Sequence, residues 1–185
     1  ISGNVSNGKI ISNTELLLAT TPAFSTTQTL KFTAGRFLND SDKGKPVVVL
    51  GGNAKTDLFG TEDAIGKSVT IRGTQFTVIG EIAPSDAAAS SFSAGPSLEN
   101  AIYLPIDTAA KVTGSAPPIA RILVQVDSAS NVTGVAAAIK SSMIKGHGGQ
   151  EDFTVLTQKD ILSTVDSILS LLTTFIVAIA SISLL

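Results

Sequence analysis

Gly60-Thr61-Glu62-Asp63-Ala64-Ile65-Gly66-Lys67-Ser68 sets a lysine and a hydroxyl after a second glycine, the order in which a phosphate-binding loop cradles a nucleotide. That chemistry requires four residues between the glycines and a helix whose N-terminus faces the phosphates. Here five residues intervene, a strand-like pattern follows Lys67, and Glu62 and Asp63 would repel an anion. The segment reads as a turn. His147, the single histidine, lies in the glycine-rich stretch Lys145-Gly146-His147-Gly148-Gly149. A catalytic base needs a third group to orient it, and a metal site needs further ligands; neither clusters near His147 in sequence, so it too reads as a solvated turn. No G-x-S-x-G nucleophile elbow occurs. Asp40 with Asp42, and Glu62 with Asp63, are conceivable carboxylate pairs, but turn residues flank both and a solvated surface is expected. Sequons at Asn4, Asn39 and Asn131 matter only in a host that glycosylates. Nothing in these residues points to an enzyme, and neither a catalytic nor a metal site is expected.

The 185 residues suffice for one domain or two small ones; 43% are apolar and only 15% charged. A net charge of −2 supplies no basic field, which argues against nucleic acid as a partner. Without cysteine there is neither a disulfide framework nor thiolate chemistry.

The elements are organised around the C-terminus. Thr157 is placed to cap a helix with Asp160 in its first turn, and Ile161, Leu162, Val165, Ile168, Leu169 and Leu172 follow at helical spacing. Beyond Asp166 the 19 residues from Ser167 to Leu185 carry no ionisable side chain. At about 1.5 Å per residue they span about 28 Å, close to a hydrocarbon core of about 30 Å, and predict a membrane helix. The absence of a polar or aromatic flank after Leu185 is read as a cut through that helix.

Upstream, Glu15–Thr20 predicts a buried strand, and Pro22 opens a short helical turn carrying Phe24. A β-rich block follows: Leu30–Phe32 leading into Gly35, then Val47–Leu50, and a hairpin of Ser68–Ile71 and Gln75–Val78 about Arg72-Gly73-Thr74. Asn53 is expected to cap a helix that stops at Gly60, and Asp107 a second one ending at Gly114. Residues 84–100 are a long Ser/Ala-rich loop. The last unit predicts β-α-β: a strand over 121–126, a helix over 131–144 with Val132, Val135, Ala136, Ile139 and Met143 on one face, and a returning strand over 152–156.

Taken in order, Gly35-Arg36-Phe37 with Asp40 or Asp42, Val47–Gly51, Leu58-Phe59-Gly60, Ile65-Gly66-Lys67, Phe76–Gly80, Tyr103-Leu104-Pro105 and Asp152–Val155 form a series. It resembles the extracytoplasmic domain of FtsX-like, MacB-type ABC transporter permeases over most of residues 20–185. The resemblance implies an α+β fold: a porter-like lobe built from residues 1–30 and 116–160, an inserted β-rich lobe over 31–115, and a stalk with the start of a transmembrane helix over 161–185. It implies a non-catalytic domain on the outer side of the cell membrane that couples ATP hydrolysis to export or mechanotransmission. ATP and magnesium would act on a separate ABC ATPase domain or subunit. The expected partners are that ATPase, a second permease copy, and an adaptor or cell-wall protein. Asp160, Ile161, Val165 and Ile168 are the candidate coupling residues, and Ser85, Phe92 and Ser97 a candidate partner loop. The alternative is a ligand-binding or adhesion module anchored by its C-terminal helix.

Overall fold

A computed structural model describes residues 5–12, 16–83, 98–115 and 117–183. Loop residues Ser85, Phe92 and Ser97, and the sequon at Asn4, lie outside the described residues. The chain divides into two compact units, Ile1–Val124 and Gln125–Leu185.

The first unit is built on a mixed sheet. Its strands are β1 (Val5–Ser6), β2 (Ile11–Ser12), β3 (Leu16–Thr20), β4 (Phe32–Gly35), β5 (Val47–Leu50), β6 (Ser68–Ile71), β7 (Thr74–Ile82) and β8 (Ala101–Pro105). The order across the sheet is β2-β1-β6-β7-β5-β8-β3, and β4 pairs with the far end of β7. β3 runs parallel to β8, and β5 parallel to β7; the other ladders are antiparallel. Strands from residues 1–30 and from 31–115 therefore hydrogen-bond within one sheet.

Alternation sorts the side chains onto two faces. Val48, Leu50, Phe76, Val78, Ile102 and Leu104 join one apolar cluster, covered by α2 (Gly52–Phe59) through Ala54 and Leu58 and by α3 (Ile106–Thr113) through Ala109. Val49, Ala101, Tyr103 and Ile82 face the other way, with Phe37 and Leu38 and, at the edge, Phe24 of α1 (Ala23–Thr27). Because both faces of β5 and β8 are covered, their sequences VVVL and AIYLP are continuously apolar rather than alternating. The predicted hairpin forms, and Arg72 and Gly73 both take positive φ (50° and 81°), as a tight two-residue turn between twisted strands requires.

Helix starts differ from expectation. Gly51, not Asn53, precedes α2; the Asn53 amide donates instead to Asn100 at 2.7 Å. A Cβ on Gly51 would sit 2.3 Å from the Glu99 carbonyl oxygen, so only glycine lets the chain end of β5 pass that backbone. Pro105 precedes α3, with Asp107 inside its first turn, where a carboxylate suits the helix dipole.

The second unit holds α4 (Val132–Gly146) and α5 (Gln158–Ser183). The predicted face of α4 is reproduced: Val132, Val135, Ala136, Ile139 and Met143 are its half-buried residues, with Ile144, yet none is fully buried. The strands expected over 121–126 and 152–156 are not present; neither stretch joins a ladder. β-branched composition favours extension, but a strand exists only where a neighbouring backbone supplies partners.

Candidate functional site

The glycine and lysine landmarks that suggested chemistry serve the fold. Lys67 precedes β6, not a helix, and its ammonium is taken by Glu62 at 2.5 Å while lying 5.4 Å from the Phe59 ring centroid. This pairing holds Glu62 below the usual carboxylate range. The Gly66 N–H donates to the Val78 carbonyl, and the buried Glu81 carboxylate accepts from the Ala64 N–H at 3.2 Å. The loop from Gly60 to Lys67 is thus pinned along β7.

Arg36 and Asp42 are a second knot; sequence reading set Arg36 beside Asp40 or Asp42 in one ordered series but did not pair them. Asp42 was expected on a solvated surface; it is 3% exposed. It binds the Arg36 guanidinium through two hydrogen bonds of 2.6 and 3.0 Å and accepts the Asn39 N–H at 2.9 Å. The guanidinium's hydrogen bonds hold the Asp42 carboxyl well below its ordinary range, against the opposing effect of burial. Asn39 reciprocates by capping Ser41, so residues 39–42 form a capping box on a single 3-10 turn. The spacing Asn-x-x-Asp carried that signal. Asp40 is exposed and pairs with Lys43.

Arg36 also ties this turn to the sheet. Its N–H donates to Ile79 O, and Gly35 pairs with Gly80 across β4 and β7. A Cβ on Gly80 would lie 2.1 Å from Arg36 O, and one on Gly35 2.3 Å from Ile79 O. Two sequence landmarks 45 positions apart, Gly35-Arg36-Phe37 and Val78-Ile79-Gly80, are thereby one backbone crossing. The Tyr103 hydroxyl, beneath the aromatic group of Phe24 and Phe37, donates to Leu98 O at 2.8 Å, and burial pushes its titration up.

The candidate coupling residues all lie on α5. Thr157 and Asp160 close a capping box: the Thr157 N–H and hydroxyl both donate to Asp160 Oδ2 (2.9 and 2.7 Å), and the Asp160 N–H donates back to Thr157 Oγ1 at 3.2 Å. Ile161, Val165 and Ile168 follow along one side of the helix, with Val165 and Ile168 exposed. Gln158–Ala180 is, among the described residues, the helix long and apolar enough to cross a membrane, with mean hydropathy 1.9 and none of it buried against protein. Serine and threonine within it are neutralised by back-bonding: Ser167 to Ser163 O, Thr173 to Leu169 O, Thr174 to Ser170 O. Among the described residues no group of three or more His, Asp or Glu side chains converges to hold a metal ion.

The model of the MacB-like periplasmic core domain matches residues 1–142. An uncharacterised ABC transporter permease of Methanocaldococcus jannaschii is 32% identical over 151 residues, 82% of this chain and 35% of that protein. The macrolide export ATP-binding/permease protein MacB of Wolinella succinogenes is 30% identical over 171 residues, 91% of this chain and 26% of that protein. The chain therefore spans about a quarter to a third of the length of these relatives. The crystal structure of the periplasmic region of MacB from Actinobacillus actinomycetemcomitans shares the fold with a TM-score of 0.71 at 24% identity, covering 90% of this chain and 72% of that one. The extracellular domain of the noncanonic ABC-type transporter YknZ from Gram-positive bacteria gives 0.70 at 19% identity, covering 85% and 77%.

Proposed function

The chain belongs to the family of MacB-like periplasmic core domains, and on that premise we propose that it is the non-enzymatic outer domain through which an ABC transporter permease couples ATP hydrolysis inside the cell to export or mechanical work outside. ATP and magnesium act on a separate nucleotide-binding domain or subunit. The named relatives that join an ATP-binding part to a permease in one protein support that division. A second permease copy completes the transporter, and an adaptor or cell-wall protein receives its output.

The observation that carries the reading is α5. One uninterrupted helix of 26 residues begins at a closed capping box on the outer side and continues as the candidate membrane span. A helix cannot be compressed along its axis without breaking hydrogen bonds, so movement of the span is delivered to Thr157 and the turn before it. Asp160 fixes the start of this lever, and Ile161, Val165 and Ile168 give it an apolar side on which another helix can pack. We propose further that in the assembled permease residues 116–160 work with residues 1–30 as a porter-like lobe and residues 31–115 as its insertion. The β-branched stretches 121–126 and 152–156 flanking α4, neither of which joins a strand ladder, support this.

The test is Ser163→Pro in the full-length transporter reconstituted in lipid. Proline removes one helical hydrogen bond and clashes with the preceding turn, at about 3 kcal/mol or more. Basal ATP hydrolysis should persist while export falls to background. Export at the wild-type rate with intact ATP turnover would remove α5 as the coupling element.

A further inference from the structure

The turn between α4 and α5 holds the chain's single histidine in a specific contact. His147 Nδ1 lies 2.5 Å from Asp152 Oδ1, and the imidazole edge meets the Phe153 ring at 5.6 Å between centroids. Gly148 and Gly149, both at positive φ, reverse the chain between them, with the Gly149 N–H bound to Ile144 O and the Gln150 N–H to His147 O. Beside this pair, Glu151 is engaged by Lys140 of α4 at 2.6 Å, and Lys145 stands in the last turn of α4. We infer that His147 and Asp152 form a protonation-sensitive clasp, which tightens the link between α4 and the membrane helix when the extracytoplasmic side is acidic.

The reasoning is one of charge. A neutral imidazole can offer Asp152 only an uncharged Nδ1–H, and its other tautomer presents a lone pair that the carboxylate repels. Gaining a proton at Nε2 fixes Nδ1 as a donor and turns the contact into an ion pair of imidazolium and carboxylate. The charged groups around the imidazole are Asp152, Glu151, Lys140 and Lys145. The direction follows: added protons close the clasp, and their removal loosens it. His147 and Asp152 are 39% and 63% exposed, so water screens the pair and the effect is a factor of a few.

The experiment is hydrogen exchange, read by mass spectrometry, of peptides covering residues 143–153 in the full-length protein in lipid nanodiscs. Rates are compared at pH 5.5 and 7.5 after correction for intrinsic chemical exchange. The wild type should be about two- to five-fold more protected at pH 5.5. Asp152→Asn should give the lower protection at both pH values. His147→Lys, which keeps a cation at both, should give pH-independent protection near the wild-type acid value. Equal wild-type protection at the two pH values overturns the inference, as does an Asp152→Asn variant that retains the wild-type ratio. Peptides from β7 serve as the folding control and should be unchanged in all three proteins.

Discussion

At the scale of single residues, the strongest constraints lie where Arg36, Asp42 and Gly80 meet. Arg36→Ala leaves a nearly buried carboxylate without its cation, at a cost of about 2 kcal/mol, measurable as a lowered urea midpoint with unchanged slope. Asp42→Asn should cost less, since the amide oxygen still accepts from Asn39 and Arg36. The same pair sets an acid limit. Because the folded state holds the Asp42 carboxyl below its unfolded range, its contribution is fully present above the unfolded value and is lost as pH falls through the folded one. Stability should therefore decline below about pH 4, and Asp42→Asn should flatten that decline in urea titrations run from pH 5 to pH 2. Gly80→Ala is harsher: its Cβ meets a carbonyl of the backbone, which cannot turn aside, so the β4–β7 crossing must open. A loss of about 3 kcal/mol or more is expected from chemical denaturation, against about 1 for Gly114→Ala, where only the positive φ is strained and no atom is in the way.

At the scale of elements, what was legible in the sequence was what depends on neighbours along the chain. The hairpin about Arg72-Gly73, the α4 face of Val132, Val135, Ala136, Ile139 and Met143, and the Thr157–Asp160 cap are all local patterns, and all form. The strands at 121–126 and 152–156 do not, because Ile122 to Val124 states a preference for extension but not the identity of a partner. Burial of Asp42 was equally illegible: the acid that a turn exposes and the acid that a turn buries share one sequence pattern, and only the return of Arg36 along β4 distinguishes them. The candidate coupling residues could be placed on their helix but not opposite anything, since an apolar side names no occupant. The cap itself is testable. Asp160→Ala removes the acceptor of both Thr157 donors and should show as faster hydrogen exchange confined to the first turn of α5, with residues beyond Ser167 unchanged.

At the scale of the whole molecule, burial is distributed unevenly between the two units. Val5, Leu17, Val48, Leu50, Leu58, Phe76, Ile102 and Tyr103 all lie within Ile1–Val124, whereas none of the described residues of Gln125–Leu185 is fully buried. A chain segment holds its shape against conformational entropy only by removing apolar surface from water, so the first unit has the means to fold by itself and the second does not. Residues 1–124 produced alone should unfold in a single cooperative urea transition, with amides of β5, β7 and β8 the slowest to exchange. A peptide of residues 125–156 should show little helix in water: α4 is 15 residues long, close to the length at which isolated helices are marginal, and carries Gly134 inside it. Circular dichroism of the two pieces decides the matter. A strongly helical peptide would mean that α4 is stabilised by its own sequence, and its half-buried face would then need no partner to explain it. A weakly helical peptide, beside a folded 1–124, would place the stability of the domain in its sheet and leave the segment before the candidate membrane span without a stability of its own.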